Sequence, residues 1–212
     1  APLAKAHGKI FRFAAGAELP GWRASDLHPA PGFVTRPGVF SAEKVDPGSA
    51  LLAAALPARL PARVADLGAG WGWLAAQVLG RDGVGELHLV EADHASLACA
   101  RLNLTDPRVR FHWADAARFR PEAPFDAVVM NPPFHSGRAA DPALGAAFIA
   151  AAAGMLGPAG RLWMVANRHL PYEAVLARHF REVTEAGGDG AFKLLLAARP
   201  VPAARTAPRP RG

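Results

Sequence analysis

The sequence predicts an α/β fold, a mostly parallel sheet covered by helices. Three observations carry that expectation. From about residue 46 onward, short β-like apolar runs alternate with helix-length stretches. Three of the helical stretches open on a cap-like aspartate, so local chemistry and hydrophobic pattern agree on where they begin. The last two strands have no helix-length segment between them and predict an antiparallel hairpin at the sheet edge. With 51% apolar and 20% charged residues, the 212-residue chain has ample material for one core and lies far from the composition of a disordered polymer.

Residues 1–45 are rich in Gly and Pro and read as an irregular leader, with one alternating stretch at Lys9–Phe13. The folded domain is expected over residues 46–198. Asp46 followed by Pro47 reads as N-cap and first turn of a helix over Gly48–Leu56. Strands are expected at Arg63–Leu67, Glu86–Glu91, Arg108–Trp113, Phe125–Met130, Arg161–Ala166, Glu182–Ala186 and Phe192–Ala198. Helices are expected near Trp73–Leu79, His94–Leu104, Pro142–Leu156 and Tyr172–His179, with Asp93 and Asp141-Pro142 as further cap signals. The hairpin turn falls on Gly187-Gly188-Asp189-Gly190. Residues 199–212 read as a basic, Pro/Arg-rich disordered tail.

Charge and cysteine usage narrow the function classes only a little. The net charge is +6, but Arg199, Arg205, Arg209 and Arg211 sit in the tail without acids, so most of the excess lies outside the domain. Cys99 is the single cysteine, which excludes an internal disulfide and a cysteine-cluster metal site; it reads as a small buried residue on a helix. No apolar run approaches the ~20 residues a membrane span needs, so a cytoplasmic protein with no membrane partner and no metal is expected. The chain opens without Met, which suits a segment of a longer protein or a processed N-terminus.

Two segments carry the chemistry. Asp66-Leu67-Gly68-Ala69-Gly70-Trp71-Gly72 sits where a buried strand runs into a helix, and glycines there allow a tight turn and close approach of a ligand. The next strand ends in Glu91, 25 residues after Asp66, placed to accept hydrogen bonds from the ribose of a bound nucleoside. Asn131-Pro132-Pro133-Phe134 follows the strand Phe125–Met130 directly, so it also falls at the carboxyl end of the sheet.

The run Val64–Gly72, with its acid ahead of the glycines, resembles the first motif of class I methyltransferases more than a dinucleotide-binding turn. The resemblance implies a Rossmann-like, seven-stranded, mostly parallel sheet with a C-terminal antiparallel hairpin and helices on both faces. It implies S-adenosylmethionine as cofactor, lying across Asp66, Gly68, Ala69, Gly70 and Gly72, with its ribose on Glu91 beside Ala92. Asp115 would lie near the adenine amino group, and Asn131 would border the same site.

An exocyclic amine is a poor nucleophile because its lone pair is delocalised into the ring. In the chemistry implied for the Asn-Pro-Pro-aromatic motif, the Asn131 side-chain carbonyl and the Pro132 carbonyl each accept an amine hydrogen and aim the lone pair at the donor methyl group. Pro132 and Pro133 fix the backbone, and Phe134 offers a flat face for a flipped or unpaired base. No metal and no covalent intermediate is implied.

Such motifs occur in methyltransferases acting on adenine N6, cytosine N4, glutamine side chains and guanine N2. The flanks Phe134-His135, Asn167–Tyr172 and Phe192-Lys193 resemble the guanine-N2 methyltransferases of small-subunit ribosomal RNA and their large-subunit relatives, as do Pro37–Ser41 and Asp46–Ser49 upstream. The resemblance covers roughly residues 36–198 and implies ribosomal RNA, or a ribosomal subunit, as partner. By it His135, Asn167 and Tyr172 line the base pocket, and Arg138 contacts phosphate. Members commonly carry two tandem domains, of which this chain matches the second. Trp71 and Trp73 depart from the smaller residues usual in and just after the glycine turn. Two alternatives stay open: another amine acceptor, such as a protein glutamine or adenine N6, and a noncatalytic RNA-binding module of the same fold.

Overall fold

A computed structural model of the chain describes residues 3–5, 8–10, 16, 24–133, 135–136, 139–140 and 142–202. Its elements in chain order are β1 (Leu3–Lys5), β2 (Gly8–Ile10), α1 (Pro47–Ala55), β3 (Arg63–Leu67), α2 (Trp73–Leu79), β4 (Glu86–Glu91), α3 (His94–Asn103), β5 (Val109–Trp113) and β6 (Phe125–Met130). There follow β7 (His135–Ser136), β8 (Ala139–Ala140), α4 (Pro142–Met155), β9 (Leu156–Asn167), α5 (Tyr172–His179), β10 (Phe180–Gly188) and β11 (Phe192–Pro200).

Seven strands form one sheet in the order β10-β11-β9-β6-β3-β4-β5. The pairs β3/β4, β4/β5, β3/β6 and β6/β9 are parallel, whereas β11 runs antiparallel to both β9 and β10. This is the Rossmann-like class I methyltransferase fold. From β3 the chain steps outward to β4 and β5, then returns to the other side of β3 to lay down β6 and β9. The order therefore reverses between β3 and β6, and a ligand crevice opens at such a switch point, outside the carboxyl ends of the strands.

Strand alternation explains why both faces need a helical layer. On β6, Val128 and Met130 join a core with Ile149 of α4 and Leu176 of α5, whereas Ala127 and Val129 join a second core with Leu52 of α1, Val78 of α2 and Ala100 of α3. Caps set two of these helices. Asp46 Oδ2 accepts from the Ser49 amide at 2.7 Å, and Asp93 Oδ2 from the Ser96 amide at 2.8 Å. The expected cap at Asp141 lies outside the described residues.

Departures from the expected boundaries are local. β9 begins at Leu156 rather than Arg161, because Leu156 pairs with Phe125 before a register shift leads into Arg161 opposite Ala127. β10 and β11 extend to a Phe180–Pro200 pair, so tertiary pairing carries them past the apolar run that signals them. α3 stops at Asn103 and β5 starts at Val109; the Arg108 side chain instead closes the loop by bonding Asp106 and the Val84 carbonyl.

Residues 24–45 carry no helix or strand, yet they rest against the sheet domain. Val34 exchanges hydrogen bonds with the Asn103 side chain, at 2.8 and 3.0 Å. Val39 packs with Trp71 and Cys99, and Cys99 is buried on α3. No helix of the described residues is long and apolar enough to cross a membrane.

Candidate active site at the carboxyl end of the sheet

The glycine turn leaves β3 and folds back over β4. The Gly68 and Ala69 amides donate to the Val90 carbonyl at 2.9 and 3.3 Å, and the Gly70 amide donates to Glu91 Oε2 at 2.8 Å. Gly70 has φ +55°, and a side chain there would meet nothing within 4 Å, so the turn presents bare backbone to open space. Gly72, at φ +88°, caps α2 and lies so close to α3 that a Cβ would sit 2.9 Å from Leu104 Cδ1.

A pocket of about 50 Å³ lies between this turn, α1 and Asn131. Asp66, Gly68, Ala69, Gly70 and Asn131 line it, together with Phe40, Asp46, Ser49, Trp71, Trp73 and Leu74. Asp66 is only 1% exposed, and no described hydrogen-bond donor reaches its Oδ2. Burial, aided by the charge of Glu91, pushes the Asp66 carboxyl up to about 8. A buried carboxyl in that state favours a cation or donor that would share its charge.

Asn131 sits at the end of β6 with its amide nitrogen turned to α1. Nδ2 donates to Asp46 Oδ2 at 2.7 Å and to Ser49 Oγ at 2.9 Å, so both of its hydrogens are engaged. Among the described residues no donor reaches the Asn131 carbonyl oxygen, which is therefore available to an incoming N–H. Pro132 is buried and Pro133 is exposed. A Cβ on Gly68 would lie 3.9 Å from Pro133 Cδ, which brings the two motifs edge to edge.

The methyltransferase small domain family matches residues 31–196. The chain belongs to that family. The ribosomal RNA small subunit methyltransferase C of Shewanella loihica is 33% identical over 158 residues, 74% of this chain and 46% of that protein. The ribosomal RNA large subunit methyltransferase G of Alcanivorax borkumensis is 33% identical over 173 residues, 79% of this chain and 44% of that protein. A solved structure, the T. thermophilus 16S rRNA N2 G1207 methyltransferase in complex with AdoMet and guanosine, superimposes with a TM-score of 0.66 at 34% identity. That superposition covers 86% of this chain and 52% of the other. The chain thus spans about half the length of the relatives it matches.

Within this methyltransferase small domain the remaining expected residues take varied places. Glu91 lies outside the pocket lining but holds it together, since its Oε1 also accepts from the Asp93 amide at 2.7 Å. Each of its oxygens keeps a lone pair for a ligand hydroxyl. Ala92 is exposed, and its carbonyl accepts from Trp113 Nε1 at 2.9 Å. The Asp115 carboxylate caps the following turn, accepting from the Ala117 amide at 2.9 Å, and is about half exposed. Asn167 ends β9 opposite Phe192.

Tyr172, expected to line the base pocket, is 1% exposed and packed so tightly on α4 that a Cβ at Gly145 would meet the phenol oxygen. Lys193, one of the residues on which the resemblance rests, is 4% exposed and ion-paired with Glu173 at 2.6 Å. Phe134 and Arg138 lie outside the described residues, and of His135 only the backbone, in β7, is described.

Sequence reasoning missed Ser49 and took Asp46 only as a helix cap. A cap residue gives no sign in sequence that it also faces another strand. The departure at Trp71 gains a reason: its indole N–H donates to the Phe40 carbonyl at 3.1 Å and its ring meets Phe33 edge-on at 5.5 Å, so the large side chain anchors residues 33–40 beside the pocket. Among the described residues, no group of three His, Cys, Asp or Glu side chains is placed to hold a metal ion.

Proposed function

We propose that this chain transfers a methyl group from S-adenosylmethionine to the exocyclic N2 of a guanine in small-subunit ribosomal RNA, in the cytoplasm. The observation that carries the reading is Asn131, whose amide nitrogen is tied to Asp46 and Ser49 while its carbonyl is left to accept from an amine, beside a turn built to receive a nucleoside. Relatives that are named as ribosomal RNA methyltransferases, at about one-third identity, support the substrate class.

The residues present fit the cofactor. The carboxyl of Asp66, short of a partner, suits the positive charge of the donor; the open side of Gly70 admits a ligand against the backbone; Glu91 keeps acceptor capacity for ribose hydroxyls. When bound, S-adenosylmethionine supplies an electrophilic methyl group. Asn131 holds the acceptor amine through its carbonyl, orienting the nitrogen lone pair and favouring its more tetrahedral form. Asp66 retains or releases a proton according to the charge placed against it.

The test is to incubate the protein with isotope-labelled S-adenosylmethionine and unmodified small- and large-subunit ribosomal RNA, free and as subunits. Mass spectrometry of the nucleosides then shows where the label goes. Label in N2-methylguanosine of the small-subunit RNA is expected. Label in the large-subunit RNA would favour the reading that the Alcanivorax relative supports. Label in another nucleoside would overturn the guanine assignment.

A further inference from the structure

We infer that Asp46 and Ser49 are positioning residues that fix which end of the Asn131 amide faces the acceptor amine. The inference rests on the reading that the Asn131 carbonyl accepts a hydrogen bond from that amine.

A primary amide has nearly the same shape either way round, but its two ends are opposite in function. One end accepts and the other donates twice. If Asn131 turned over, it would present N–H groups to an amine that also carries N–H groups, and the orienting contact would become a repulsion. A fixed partner must therefore choose the rotamer.

Asp46 supplies that partner. An ionised carboxylate can only accept, so the Asn131 atom 2.7 Å from Asp46 Oδ2 has to be Nδ2. Ser49 Oγ, 2.9 Å away, takes the second amide hydrogen. With both hydrogens engaged on one side, the carbonyl is directed away from α1. Charge assistance strengthens the Asp46 bond relative to a neutral one.

The two positioning side chains are themselves held still. Asp46 is the N-cap of α1, where the helix N-terminus favours a negative charge, and the same Oδ2 accepts the Ser49 amide at 2.7 Å. Pro47 fixes the backbone of the first turn. Gly48 lets α1 approach the Phe192 ring of β11, with a would-be Cβ only 3.2 Å from it. A helix cap needs only the Ser49 amide. The additional bonds to a residue 85 positions away are what a structural cap does not require.

Ser49→Ala removes one acceptor and leaves the cap intact. Asp46→Ser keeps a capping side chain but is too short to reach Asn131, and Ser49→Thr restores the hydroxyl. Each variant is assayed for single-turnover methyl transfer, for cofactor affinity by calorimetry, and for hydrogen exchange of the Asn131 side-chain amide by ¹⁵N NMR. Ser49→Ala and Asp46→Ser should each lower the single-turnover rate about tenfold, with cofactor affinity held within about twofold, and Ser49→Thr should recover most of the rate. The Asn131 amide hydrogens, protected in the native protein, should exchange faster in both.

Unchanged rates and unchanged amide protection in Ser49→Ala and Asp46→Ser would overturn the positioning role while leaving the proposed function standing. Loss of cofactor affinity with an unchanged transfer rate would overturn it as well, assigning both residues to the cofactor instead. A variant Asn131→Ala that keeps its rate would instead remove the reading on which the inference rests.

Discussion

Arg63 and Asp66 stand three residues apart on β3, one at the amino end of the strand and one near the carboxyl end, and they are treated in opposite ways. The Arg63 guanidinium donates to Glu86 and lies 5.3 Å over the Phe125 ring, while its backbone amide donates to Asp126 Oδ2 at 3.0 Å. Asp66 is more deeply buried, yet its Oδ2 has no described donor and its carboxyl is pushed up to about 8. At the amino end the Arg63 charge is paired with Glu86, and only its buried Nε lacks a partner among the described residues. At the carboxyl end, polarity is left incomplete at a cost in stability, which is the pattern expected where a ligand completes the structure.

That contrast can be broken most severely at Asn131. Asn131→Ala removes a preorganised acceptor at the ligand end, and kcat should fall on the order of 10²–10³-fold, about 3 kcal/mol of barrier, in steady-state assays on the RNA substrate. Cofactor affinity measured by calorimetry should stay within about twofold, because in the proposed reaction the lost contact serves the acceptor amine.

Asp66 sharpens the contrast through pH. Between the ordinary carboxyl value of 3.8 and about 8 the native protein holds a proton there that the unfolded chain has released. Stability of the free protein therefore falls as pH rises through that window and levels off above it. In thermal melts, Asp66→Asn should remove this decline, so its Tm advantage over the native sequence should be greatest above pH 8 and vanish near pH 4. A cation bound against Asp66 favours the ionised form, so cofactor binding by the native protein should release protons below about pH 8 and tighten as pH rises toward it. Asp66→Asn should bind more weakly and lose that dependence.

The smallest effect is expected at the other end of the same strand. Arg63→Ala breaks a partly exposed ion pair and a cation–π contact, which should cost about 1 kcal/mol and lower Tm by about 3 °C. Methyl transfer at a temperature well below the melt should be unchanged, since Arg63 lies at the end of the sheet away from the pocket.

The fold was legible where local signals agree. β3, β4, β6, α2 and α5 occupy the residues their patterns predict, because a buried parallel strand is a short apolar run between turns, and Gly72 and Pro171 mark where the two helices begin. The β9 extension was not legible, since Gly157-Pro158-Ala159-Gly160 reads as a loop and the pairing with β6 passes over it, joining Leu156 to Phe125 and resuming at Arg161 opposite Ala127. In the pocket, the glycine turn and Asn131 were legible as motifs. That Tyr172 packs into the space left by Gly145 was not legible, because a tyrosine at a helix start looks alike whichever neighbour it faces.

By itself the sequence determined the alternation of strands and helices, the caps at Asp46 and Asp93, and the two motifs that end β3 and β6. These follow from interactions within a few residues, which periodicity and turn chemistry record. Only the tertiary structure decided that Asp46 and Ser49 meet Asn131 across 85 and 82 residues, and that Lys193 is buried against Glu173. Such contacts depend on strand order and on which helix covers which face of the sheet. Both are outcomes of packing the whole chain, and no window of sequence contains them.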